Sequence, residues 1–169
     1  NDWLISPALY LTSFKDFATL QYYSREFFAG PDLKLMVSTT YNGSGVINTA
    51  DWTEINGNFP ATTGVWQLSD NINLNNYKSA NTYVAFVYQT TAGGTNNSSE
   101  WKVDDFKVEN KANYLAIPDQ TFTYAETTVG NTSTSTNFIL AAGGFGDITV
   151  TAPTNFQVSL NNTSFSNSI

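Results

Sequence analysis

The side chains best equipped for chemistry are two adjacent carboxylates, Asp104 and Asp105, inside an otherwise apolar run from Trp101 to Val108. Successive strand side chains point to opposite faces, so Trp101 and Val103 share one parity while Phe106 and Val108 share the other. A β-bulge at the aspartate pair restores the phase. One aspartate is then expected to face inward, where an ionised carboxylate is costly unless a cation or a donor meets it. Calcium suits such a place, since it takes several oxygen ligands from carboxylates, carbonyls and water in adaptable geometry. In the alternative, the two carboxylates accept backbone N–H groups at the bulge or pair with Lys102 or Lys107.

The second candidate group is aromatic. Aromatic rings exposed on a β-sheet stack on sugar rings, with amides supplying hydrogen bonds, and exposed apolar patches mark interaction sites. Phe27 and Phe28, just before Gly30, and Tyr41, within an Asn/Gly-rich loop, are the residues expected to stand exposed and contact a ligand. Trp3, Trp66 and Trp101 are expected in the core, as aromatics at strand period usually are.

Other chemistries are closed. The chain has no His and no Cys, which excludes the Ser-His-Asp triad, Cys-His pairs, His-ligated zinc and disulfides. A glycosidase needs only two facing carboxyl groups, but the carboxylates here lie in turns or side by side, so no enzyme activity is expected. A net charge of -7, with no cluster of Lys or Arg, argues against nucleic acid as a partner. No apolar run reaches the length of a transmembrane segment.

These groups must be carried by strands. Apolar residues recur at period two or in short blocks, and helical periodicity is confined to one short turn within 12–20. Strands are expected over Trp3 to Ile5, Ala18 to Ser24, Leu33 to Thr40, Trp52 to Ile55, Val65 to Leu68, Tyr83 to Tyr88 and Trp101 to Val108, separated by turns such as 29–32 and the polar run 90–99. Tyr83 to Tyr88 is apolar on both faces and belongs in the middle of a sheet. Near 109–113 aromatic density falls and a Thr/Ser-rich text begins, so a boundary is placed between domains 1–110 and 111–169. Further strands are expected around Phe122, at Thr136 to Leu140, Asp147 to Thr151 and Phe156 to Leu160. The fold class is all-β: an antiparallel β-sandwich followed by a partial second module.

Six segments, in order, carry a family resemblance: Asp2-Trp3-Leu4-Ile5-Ser6-Pro7, Leu33-Lys34-Leu35-Met36-Val37-Ser38-Thr39, Asp51-Trp52-Thr53-Glu54-Ile55, Ile72-Asn73-Leu74-Asn75-Asn76-Tyr77, Val84-Ala85-Phe86-Val87-Tyr88, and Trp101-Lys102-Val103-Asp104-Asp105-Phe106-Lys107-Val108. The first 110 residues resemble the cleaved-adhesin, or choice-of-anchor J, family of secreted Bacteroidota proteins. That resemblance implies a calcium-containing jelly-roll sandwich lacking its first strand here. It also implies adjacent first and last strands, which would let Asp2 and Glu100 join Asp104 and Asp105 around a structural Ca²⁺. The segment 146–160 is similar to the immunoglobulin-like repeats that follow in such proteins, with Asn155 at a position usually held by Gly; Asn also accepts the left-handed conformation. The function this implies is a non-catalytic adhesion, binding or spacer module, covalently part of a longer polypeptide at the outer cell surface, facing a surface protein or glycan. The alternative is a lectin-like, carbohydrate-binding module of a secreted enzyme.

Overall fold

The computed structural model describes residues 1–28, 30–90, 92–94, 97–117, 122–128 and 130–169. The turn 29–32 and the polar run 90–99 are thus described in part, with positions 29, 91, 95 and 96 outside those residues. In chain order the strands are β1 (Asp2–Ile5), β2 (Phe17–Phe27), β3 (Lys34–Ser38), β4 (Thr53–Ile55), β5 (Gln67–Leu68), β6 (Ile72–Asn73), β7 (Tyr83–Tyr88), β8 (Glu100–Lys111), β9 (Tyr114–Ala116) and β10 (Ala141–Gly143). The expected short helical turn is a 3-10 turn at Leu11–Ser13, and β2 begins at Phe17 within the same segment.

All pairings are antiparallel. One sheet has the order β1-β7-β3-β4; in the other, β2 pairs with β8 along one edge and with β5 and β6 along the opposite edge. The two sheets pack face to face as a β-sandwich. Ala18, Leu20 and Tyr22 of β2 meet Leu35 of β3 and Val84 and Phe86 of β7 in the core between them. Leu20 and Leu35 are completely buried, and burying such a side chain contributes about 1.5–3 kcal/mol.

β7 lies between β1 and β3, as its two apolar faces require. Its other face carries Ala85 and Val87 into a second cluster with Trp52, Trp3, Ile5, Met36 and Tyr41. This second cluster caps the outside of the first sheet with the 40–52 loop, so β7 is buried on both sides.

The phase break in β8 is real. Gln21 pairs with Lys107 and Tyr23 with Asp104, leaving Tyr22 opposite both Asp105 and Phe106. Asp105 takes φ 51°, and the Asp104 carboxylate accepts its backbone N–H at 2.8 Å. An aspartate can enter this left-handed region because its short polar side chain bonds locally.

β8 carries the chain past the expected boundary to Lys111, and β9 pairs with β10. Tyr114 is buried, packs edge-on against Phe17 at 5.1 Å, and its hydroxyl accepts from Asn73 Nδ2 at 2.9 Å. Gly143 lies against the same pair: a Cβ there would meet the Phe17 and Tyr114 rings at 2.7 and 2.8 Å. The later segment differs from expectation. Among the described residues no strand forms around Phe122 or at Thr136 to Leu140, Asp147 to Thr151 or Phe156 to Leu160; the pairing there is limited to β10 and to backbone bonds joining Val150 with Ile169, Ala152 with Asn167, and Val158 with Ser166. A strand needs a neighbour for its ladder and a surface for its apolar face. Ile139 and Leu160 have neither and are largely exposed. Asn155, at φ 69°, does adopt the left-handed conformation expected of it.

Candidate binding face

β2 divides its residues by parity. Leu20, Tyr22 and Ser24 point into the sandwich, whereas Tyr23, Arg25 and Phe27 form a column on the outer face. Register then fills both sides of that column. Asp104, Lys102 and Glu100 of β8 stand opposite Tyr23, Arg25 and Phe27 in turn, and Leu68 of β5 stands opposite Tyr23 on the other side. The result is a row of rings and aliphatic carbon beside a row of charged groups.

Arg25 organises the face. Its guanidinium carbon lies 5.2 Å from the Phe27 ring centre and 5.6 Å from that of Trp66, so it is held between the two rings. Such cation–π contacts are worth about 0.5–2 kcal/mol, more as the cation is desolvated. Its Nη2 is 3.8 Å from Glu100 Oε1, and the same oxygen lies 3.1 Å from Lys102 Nζ. Trp66 reaches this place because the loop before it is tied to the end of β2. The Gly64 N–H donates to the Glu26 carbonyl at 2.7 Å, and Gly64 turns at φ 82° directly beside the Phe27 ring, where a side chain would be strained.

Phe27 and Phe28 are 40% and 60% exposed, as their sequence position suggests, but their rings meet at 88° rather than forming a flat platform. Trp66, expected in the core, is instead 42% exposed. Since β5 begins only at Gln67, Trp66 precedes the ladder and lies over the outer face rather than inside it. Tyr41 is the opposite case. It is half-buried between Trp52 and Tyr83, with ring centres 5.3 and 5.1 Å away, and belongs to the cluster outside the first sheet rather than to an exposed platform.

The four carboxylates assigned to a calcium cage do not converge. Asp104 and Asp105 are both exposed, so neither faces inward, and Asp104 already accepts the Asp105 N–H. Glu100 is held by Arg25 and Lys102. Asp2 lies on β1, which pairs with β7 in the opposite sheet and not with β8. Among the described residues no three Asp or Glu side chains come together in a way that could hold a metal ion. The extra residue of the bulge stays at the surface, with both carboxylates exposed. Glu26, at the end of β2, has its carboxyl pushed up by partial burial and then by the nearby Asp32 charge.

Two grooves flank the sandwich and meet at Trp101. One, of roughly 530 Å³, is lined by Asp32, Lys34, Glu54, Asn56, Phe59 and Trp101; Lys34 Nζ lies 2.8 Å from Glu54 Oε2 and occupies that carboxylate. The other, of roughly 290 Å³, runs between β1 and β8 over Leu33, Phe86, Tyr88 and Val103. There Leu4, which pairs with the inward-facing Phe86, is 65% exposed because the opposite sheet does not reach over it. No helix among the described residues is long and apolar enough to cross a membrane.

A family described as a domain of unknown function (DUF5017) matches residues 7–123. That span begins just after β1, covers every other strand of the sandwich and extends through β9. No curated protein and no solved structure matches the chain.

Proposed function

Since the chain belongs to the domain-of-unknown-function family DUF5017, whose name assigns no chemistry, we propose from its own surface that it is a non-catalytic binding or adhesion module of an exported bacterial multidomain protein, with the outer face of β2 as its contact surface. The observation that carries this reading is the clustering of Tyr23, Phe27, Phe28, Trp66 and Leu68, all exposed, around the clamped Arg25. Large apolar side chains held rigid at a surface lose little conformational freedom on binding, which is why aromatics and Arg dominate contact hot spots. The likeness of the six ordered segments to cleaved-adhesin domains, the absence of His and Cys and the sparse charge all favour a display role at the outer cell surface over catalysis.

The test is attachment of the labelled protein to immobilised cell-wall and mucin preparations. The double variant Phe27→Ala/Trp66→Ala is expected to lose at least about tenfold in retention, the equivalent of one hot-spot contact, with unchanged circular dichroism. Equal retention by a folded double variant would show that contact occurs elsewhere on the molecule.

A further inference from the structure

Resting on that reading of the outer face, we propose that its ligand is an uncharged polysaccharide chain lying along β2. Three observations select this class. The first is the spacing: Tyr23 and Phe27 are four residues apart on one face, about 13 Å at strand rise, and Trp66, just before the neighbouring β5, flanks that column at the level of Arg25. Apolar rings therefore recur along a line, as an extended polymer with repeating C–H faces requires.

The second is the pairing of rings with hydrogen-bonding groups of both kinds. Asp104 and Glu100 accept, Lys102 and Arg25 donate, and the register sets them in alternation beside the rings. Sugar hydroxyls both donate and accept, so a mixed row satisfies them, whereas a row of one kind would not.

The third is charge. Arg25 and Lys102 balance Glu100 and Asp104, and Glu100 already lies between the two cations. A neutral polymer meets no net field on this face. A polyanion meets the overall charge of -7, and a polycation meets both basic side chains. A protein partner fits less well, because interface centres are depleted of Lys, Glu and Asp, while here Glu100, Lys102 and Asp104 stand directly beside the rings.

The experiment is affinity electrophoresis of the whole chain in gels containing xyloglucan, galactomannan, arabinoxylan or amylopectin, with polygalacturonate as the charged comparison, at low and high salt. Retardation by at least one neutral polysaccharide, insensitive to salt, is expected. Trp66→Ala and Phe27→Ala should each raise the dissociation constant about tenfold or more, Trp66→Phe should recover part of the loss, and Val46→Ala, at an exposed position in the 40–52 loop, should change nothing. Retardation by none of the neutral polymers, or by polygalacturonate alone and abolished by salt, would overturn the ligand class. If the double variant still loses attachment to cell-wall or mucin preparations, the face stands and only the class falls, with a protein partner the remaining occupant. If Trp66→Ala and Phe27→Ala are retarded by the neutral polymers as the wild type is, the polymer binds elsewhere on the molecule and the face falls.

Discussion

Tyr22 offers a quantitative test of how β2 is held in place beneath the binding face. It is fully buried, and its hydroxyl donates to the carbonyl of Gly57, itself buried. Replacing it with Phe keeps the ring contacts with Phe59 and Phe86 but leaves that carbonyl unpaired. Stranding a buried acceptor costs about 1–3 kcal/mol; with a urea slope of about 2 kcal/mol per molar, a loss of about 1.5 kcal/mol lowers the unfolding midpoint by about 0.7 M. The same burial pushes the phenol pKa far above its ordinary value near 10. In the folded protein Tyr22 therefore keeps its proton where the unfolded chain releases it. Above about pH 10 the unfolded state binds fewer protons, so wild-type stability falls by up to about 1.4 kcal/mol per pH unit on this account, while below that pH the contribution is fully present. Tyr22→Phe has no proton to lose. The gap between variant and wild type, measured by urea unfolding from about pH 8 to about pH 11, should be widest at about pH 8 and close near pH 11. A gap that stays constant with pH, or a variant as stable as the wild type at pH 8, would refute the reasoning.

Two further outcomes follow from β8. Val normally strengthens a strand, but at φ 51° a β-branched side chain is strained, so Asp105→Val should destabilise by about 1–3 kcal/mol, whereas Asp105→Asn should stay within about 0.5 kcal/mol of wild type in the same urea assay. Calcium should leave the thermal midpoint within about 1 °C of its value in EDTA, because the four carboxylates do not meet; a rise of several degrees would mean that a cage forms after all.

Much of the sandwich was legible in the residues. Tyr83 to Tyr88 is apolar on both faces, and the strand found there has those limits and lies inside its sheet. The parity break at Asp104-Asp105 required a bulge, and the register slips at that point. Asn155 stands where the backbone turns left-handed. Each of these is a local property, set by side-chain alternation or by the φ a residue tolerates. The short β6 and the pair β9 and β10 were not legible, since Ile72–Asn73 and Ala141–Gly143 have too few residues to show a period. They are strands only because β2 and Tyr114–Ala116 lie alongside them.

The candidate site divides along the same line. Composition determined that neither triad nor thiol chemistry is open to the chain, but the strand expected over Ala18 to Ser24 stopped short of Arg25 and Phe27, which share a face with Tyr23 only because β2 runs on to Phe27. Only the tertiary structure decided that this face points outward, that Trp66 joins it while Tyr41 leaves it for the opposite sheet, and that Asp2 is kept apart from Asp104 and Asp105. The reason is physical: periodicity states which side chains travel together along one strand, but which strand lies beside it, and which face another layer covers, depends on pairing between segments as distant as β2 and β8.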